Sequence, residues 1–184
     1  VTSGTACGMR FNNWLPGMRD VIYDHRYVFD EIGYNLKPLE LQAAMGLQQL
    51  KKLPSLDAAR RKNWQRLRSI FEPYEGHFHL PMATAKSDPC WFAFLLTVKA
   101  GAPFDRADIV NHLEEAKIQT RSYFSGNILA HPGYIHLATS NETFPMANVV
   151  TTNSFFLGTY IGLTEDKLDY IEQTVDKFFT GLAA

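Results

Sequence analysis

Cysteine is scarce in this sequence: Cys7 and Cys90 are the only two among 184 residues. Neither belongs to a C-x-x-C pair, so a disulfide scaffold is excluded and thiolates alone cannot complete a four-ligand metal site. Charge of one sign is lacking too. Eighteen Lys and Arg against 19 Asp and Glu leave a formal net charge of -1. That excludes nucleic acid or an anionic membrane surface as the main partner. No apolar run approaches the ~18 residues of a spanning helix. The N-terminus has neither a basic n-region nor an apolar h-region, so no secretory signal is read. A reduced, cytoplasmic protein is the expectation. An initiator Met is missing as well, so the chain is expected to be processed, cloned or cut at that end.

What is present is ordinary globular material, 46% hydrophobic and 20% charged. A chain of this size could bury roughly 70% of its unfolded surface, enough for a core. Residues 1–30 have no clean periodicity but hold Phe11, Trp14, Tyr23, Tyr27 and Phe29. So many aromatics suit a packed irregular segment better than a disordered tail. Gly33-Tyr34-Asn35 is a turn signal, and Pro38 sits well in the first turn of a helix. Leu39, Ala43, Ala44, Gly46, Leu47 and Leu50 follow at helical spacing. Pro54 is expected to break that helix and start the next, over 55–72. Leu56, Ala59, Trp64, Leu67, Ile70 and Phe71 form its apolar side. The basic run Arg60, Arg61, Lys62, Arg66 and Arg68 suggests either phosphate binding or, more simply, a solvated face, and the latter is preferred.

Beyond 73 the pattern turns loop-rich, then Trp91–Val98 reads as a buried strand. Asp105 is a plausible N-cap for a helix to about Ala116, with Asp108 in its first turn. A strand over 117–124, a long loop over 125–143, a short helix at 145–152 and a strand at 154–158 follow. A last helix after Thr164 carries Leu168, Ile171, Val175 and Phe178 as its core stripe. His77 and His79 would share a strand face. With no third ligand near, an exposed polar edge is the simpler reading than a metal site. The domain reading is 1–53, an irregular segment plus one long helix, and 54–184, an α/β layer of order α-β-α-β-(α)-β-α. No G-x-S-x-G, Walker loop, Rossmann glycine fingerprint or H-E-x-x-H is found. From the residues alone the sequence says soluble α/β domain, and no catalytic residue is named.

Longer blocks say more. Gly33-Tyr34-Asn35-Leu36-Lys37, the stretch Leu41-Gln42-Ala43-Ala44-Met45-Gly46-Leu47-Gln48-Gln49-Leu50, and Arg60-Arg61-Lys62-Asn63 resemble the signature of the PLP-dependent sugar aminotransferase and dehydratase family DegT/DnrJ/EryC1/StrS. Tyr23-Asp24-His25-Arg26-Tyr27, Ser87–Phe94, Glu115–Arg121 and Phe124-Ser125-Gly126-Asn127 are similar to one branch, the CDP-4-keto-6-deoxy-D-glucose 3-dehydratases of dideoxysugar and O-antigen biosynthesis. The resemblance runs from about Cys7 to the end. It implies a fold-type I aminotransferase. Residues 1–53 would be the tail of its large PLP domain, and 54–184 its C-terminal α/β small domain. The groups that stack on the pyridine ring, pair with its nitrogen or occupy the Schiff-base position would lie upstream.

Carried over residue by residue, the resemblance assigns Asn35 to the PLP phosphate of the neighbouring subunit in a homodimer. An amide N–H suits that anion, and a turn-capping role is the alternative. Phe92 would face the site near the cofactor, or else fill the core of its strand. Arg121 would anchor the sugar-nucleotide phosphate, since guanidinium forks phosphate oxygens, or else form a surface ion pair. Lys37 stands where aminotransferases often carry Arg. Cys7, with Arg10, Phe11 and Trp14 after it, resembles the last ligand of a 2Fe–2S cluster. Such a cluster needs four thiolates, so this chain cannot hold it alone. Cys90 replaces a Ser of the branch pattern and is read as a buried thiol.

The implied activity is loss of the C3 hydroxyl from a nucleotide-linked 4-keto-6-deoxyhexose, with PLP or PMP as electron sink and a flavin/iron–sulfur reductase as partner. A sugar aminotransferase is the runner-up. A stable non-catalytic fragment or interaction module is the alternative of another class.

Overall fold

The structure, a computed structural model, describes residues 11–29, 31–34, 36, 38–138 and 144–182. The chain divides into two compact units, 1–47 and 48–184. In the first, β1 (Phe11–Asn12) pairs antiparallel with β2 (Tyr23–Asp24). Asp24 is buried, and its carboxylate accepts from the Arg26 guanidinium at 2.7 Å. Phe29, Tyr34 and Leu36 are exposed.

Helix α1 runs from Glu40 to Phe71 with Pro54 inside it. The sequence predicts two helices here, and the structure has one. Proline lacks an N–H and crowds the carbonyl four residues back, a cost of about 3 kcal/mol in a helix interior. Here Leu50, Leu53 and Pro54 are all exposed, so water can reach the freed carbonyl. The Ser55 hydroxyl also donates to the Lys52 carbonyl at 2.8 Å.

The second unit is built on a four-stranded antiparallel sheet in the order β3-β4-β6-β5: Phe78–His79, Ala93–Val98, Ser154–Gly158 and Thr120–Ser122. Alternation along β4 sends Phe94, Leu96 and Val98 into the core, and β6 adds Phe155 and Leu157. Against this face pack Trp64, Leu67, Ile70 and Phe71 of α1, Ile109 and Leu113 of α2 (Arg106–Glu115), and Leu168, Ile171 and Val175 of α4 (Glu165–Leu182). Residues spaced three and four apart on each helix make one apolar stripe, and burying each large side chain contributes about 1.5–3 kcal/mol.

Local signals set the boundaries. Asp105 caps α2 through a reciprocal box: the Asp108 N–H donates to the Asp105 carboxylate, and the Asp105 N–H to that of Asp108. Pro145 opens α3 (Pro145–Asn153), which hands the chain to β6 at Ser154. The stretch read as a long loop contains two single 3-10 turns, Ile128–Ala130 and Ile135–Leu137. His77 is half-buried with its ring against Phe104 and Phe179, while His79 is exposed. Among the described residues, no helix is long and apolar enough to cross a membrane.

Arg66 ties α1 to α4 by ion pairs to Asp169 at 2.9 Å and Glu172 at 2.6 Å. Hydrogen bonding from Arg66 holds the Glu172 carboxyl below its ordinary range. A depressed carboxylate stabilises the fold above its unfolded pKa and loses that contribution as pH falls through the lowered value. We expect Arg66→Met to lower stability by about 1 kcal/mol at neutral pH, the upper range for partly exposed pairs. In urea titrations the gap to the parent should close as the buffer is taken down through the Glu172 titration. A pH-independent gap would assign the loss to packing instead.

Candidate functional site

The face of the sheet opposite the core carries the site. Cross-strand partners project to the same side, and Phe156 of β6 is registered against Leu95 of β4 and Arg121 of β5. Since Phe155 and Leu157 point into the core, Phe156 and Arg121 point away from it. Phe92 lies just before β4 begins, outside the ladder. It is 62% exposed rather than a core residue. Its ring meets Phe156 edge-on at 5.8 Å and lies along Phe124 at 6.3 Å. Phe124 takes a positive φ of 50° as the chain leaves β5, a conformation that turns its ring back toward Phe92 and Phe156.

The rings of Phe92 and Phe156 line a cavity of about 330 Å³ whose wall also includes Arg60, Gln119, Arg121, Thr159 and Tyr160. Among the described residues, no carboxylate lines it. Arg121 makes no ion pair among the described residues. Three buried or partly buried bonds fix the wall. Asn63 of α1, 5% exposed, donates its amide N–H to the Tyr160 carbonyl at 2.8 Å. The Thr159 hydroxyl donates to the Trp91 carbonyl at 2.8 Å, and Arg60 donates to the same carbonyl at 3.4 Å. The Trp91 ring in turn stacks on Trp64 at 4.3 Å, nearly parallel. At the other rim, the Thr120 N–H and hydroxyl both donate to Glu114, which pins β5 to the end of α2 next to Arg121. Those bonds, the backbone one first, hold the Glu114 carboxyl below its usual range. A second cavity of about 400 Å³ shares Gln119, Gly158 and Tyr160 with the first. Its Lys167 is engaged with the Gly162 carbonyl at 2.8 Å.

Chemically, guanidinium groups beside aromatic faces, with no acid among them, suit an anionic ligand with a flat or apolar part. The structure thus brings together two of the residues marked in the sequence, Phe92 and Arg121. Cys7, Asn35 and Lys37 lie outside the described residues. Cys90 corrects the sequence reading: it is exposed, not buried. It sits in the loop ahead of β4, before alternation begins, and its thiol donates to Asp57, which pushes the thiol pKa up. Arg60, Thr159 and Tyr160 were not marked by sequence. Arg60 was hidden in a basic helix run, and its tie to the Trp91 carbonyl is a tertiary contact.

Known proteins resemble this chain in sequence and fold. The sequence profile of the DegT/DnrJ/EryC1/StrS aminotransferase family matches residues 14–176. The chain is 41% identical over 173 residues to a dTDP-4-dehydro-2,6-dideoxy-D-glucose 3-dehydratase of Saccharopolyspora spinosa, covering 94% of this chain and 37% of that protein. It is 37% identical to the lipopolysaccharide biosynthesis protein RfbH of Salmonella typhimurium, covering 94% of this chain and 40% of that protein. Among solved structures, it resembles the E. coli GDP-4-keto-6-deoxy-D-mannose-3-dehydratase with bound hydrated PLP. The TM-score is 0.70 and the identity 28%, over 82% of this chain and 38% of that one. The chain therefore spans about two fifths of the length of the relatives it matches. Its mixed α/β fold is that of part of a fold-type I PLP-dependent sugar aminotransferase or dehydratase. With a profile match over most of its length, the chain belongs to the DegT/DnrJ/EryC1/StrS aminotransferase family.

Proposed function

We propose that this chain is the C-terminal part of a PLP-dependent nucleotide-sugar 3-dehydratase. It would act on an NDP-4-keto-6-deoxyhexose in cytoplasmic dideoxysugar or O-antigen biosynthesis. Residues 1–53 would end the large domain, and 54–184 would form the small one. The observation that carries the reading is the acid-free cavity where Arg121 and Phe92 meet on one face of the sheet. Similarity to the Saccharopolyspora 3-dehydratase supports the substrate class.

In this reading Arg121 donates to phosphate oxygens of the sugar nucleotide, and Phe92 lends an exposed ring to the sugar or base beside it. Asn35 donates to the cofactor phosphate in the partner subunit of a homodimer, and Lys37 adds positive charge to the substrate side. PLP or PMP, when bound, supplies the electron sink for breaking the C3–oxygen bond. The groups that hold its ring are not among the described residues, so this chain's part is binding and orientation. The iron–sulfur centre does not fit this chain alone. A cluster takes four thiolates, and the sequence has two cysteines, of which Cys90 is engaged with Asp57. Cys7 remains a proposed ligand within the whole protein, where a reductase would deliver electrons.

The test is to incubate the whole enzyme, loaded with PLP or PMP, with CDP-, GDP- and dTDP-linked 4-keto-6-deoxyhexoses. Products are then followed by mass spectrometry. Loss of the C3 oxygen supports the dehydratase. An amino sugar as sole product moves the protein to the aminotransferases, and no conversion of any overturns both. Arg121→Ala should raise KM about tenfold with kcat nearly kept, the mark of a binding contact made equally in ground and transition states. An unchanged KM would remove Arg121 from the site.

A further inference from the structure

We propose that Arg60 is a second phosphate-binding residue, closing with Arg121 on the diphosphate of a nucleotide ligand; this rests on the sugar-nucleotide reading above. The basic residues of α1 sort into two kinds. Arg61 is paired with Asp57 and Asp88, Lys62 with Glu165, Arg66 with Asp169 and Glu172, and Arg68 reaches Glu75 at 4.0 Å and the Pro81 carbonyl at 3.1 Å. Among the described residues, Arg60 alone in this run has no carboxylate partner. Among the described residues, its one side-chain hydrogen bond is the long 3.4 Å bond to the Trp91 carbonyl. A guanidinium has five N–H donors, so most of those on Arg60 remain for a ligand.

Arg60 lines the same cavity as Arg121, which also has no acidic partner among the described residues. Two cations facing one acid-free space repel each other, and an anion placed between them relieves that repulsion. A single phosphate would satisfy one fork. Two forks approaching from different elements, α1 and β5, match a ligand with two adjacent phosphates. The three rings of Phe92, Phe124 and Phe156 beside them give an apolar neighbour for the sugar or base. The Trp91 carbonyl is shared with Thr159, so Arg60 is aimed by backbone that the Trp64–Trp91 stack holds in place.

The experiment is isothermal titration of the PLP-loaded whole enzyme with CDP, GDP and dTDP and with the matching nucleosides. It compares the parent with Arg60→Gln, Arg60→Lys and, as control, Arg61→Gln, whose partners lie outside the cavity. We expect Arg60→Gln to raise the diphosphate Kd at least tenfold and to flatten its dependence on salt. Arg60→Lys should fall between, because it keeps charge but loses the fork. Arg61→Gln and all nucleoside titrations should be unchanged. If Arg60→Gln does not fold, the Arg60→Lys titration carries the test. Equal diphosphate affinity in parent and Arg60 variants overturns the proposal, as does an absence of diphosphate binding by the parent. The dehydratase reading fails separately: diphosphate can bind through Arg60 in a protein that removes no C3 oxygen. Conversely, dehydration can proceed while Arg60→Gln binds like the parent, and then only the clamp falls.

Discussion

Phe71→Ala should remove about 3–5 kcal/mol of stability, the largest loss expected from one side chain in this chain. Phe71 is fully buried at the C-terminal end of α1. It meets Phe78 of β3 edge-on and Phe94 of β4 stacked, each at 5.7 Å. Removing the ring deletes its own burial and leaves a cavity where a helix and two strands converge. β3 is only two residues long, so it has few other bonds with which to hold its place. Urea denaturation of the chain, followed by near-ultraviolet circular dichroism, checks this. Phe71→Leu should lose much less, because most of the volume is retained. A loss under about 1 kcal/mol for the alanine variant would mean that the core closes over the gap, against the usual behaviour of packed interiors.

Asn63→Leu should lose about 1–3 kcal/mol, because it removes the buried amide that donates to the Tyr160 carbonyl. Leucine keeps the branched outline of asparagine but is bulkier, so crowding at this buried position adds to the lost bond. The effect should not stop at stability. Tyr160 lines the cavity that contains Arg121, and its backbone is held there by Asn63. On the proposed reading, the affinity of the whole protein for its nucleotide-sugar ligand should therefore fall with the same substitution. Asn63→Asp separates the two causes by pH. The introduced carboxyl cannot donate when ionised, so the variant should be weakest above its own pKa and recover as acid protonates it. A deficit that does not ease with falling pH would mean that shape, not the hydrogen bond, matters at this position.

Much of the second unit was legible in its sequence because local chemistry and tertiary packing agree there. Asp105 and Asp108 announce the start of α2 and form the reciprocal cap. The run from Ser154 to Gly158 has the length and bounds of the observed β6. The stripe Leu168, Ile171, Val175 lies in the core as spaced. Pro54 misled because proline's local penalty is real, yet the exposed first half of α1 lets water meet the freed carbonyl. β3 was touched only by the His77 and His79 spacing and left out of the element order, because two residues show no period. Its pairing of Phe78 with Val98 is a long-range fact.

The site was legible unevenly for a similar reason. Phe92 and Arg121 stood out by family pattern, but nothing local places them on one face. That needs the register of β5 on β6. Arg60 was unreadable among its basic neighbours because the distinguishing feature is an absence: the acids that neutralise Arg61, Lys62 and Arg66 arrive from 57, 88 and α4.

Trp91 occupies an unusual position in this design. Its ring belongs to the interior through Trp64, while its carbonyl receives both Arg60 and Thr159 of the cavity wall. A substitution at 91 keeps the carbonyl, since every residue has one, but releases the ring that aims it. Selection for a new ligand therefore cannot retune this wall independently of the interior. Changes in preference are more readily made at Phe92 and Arg121, whose side chains can be exchanged without unseating the fold.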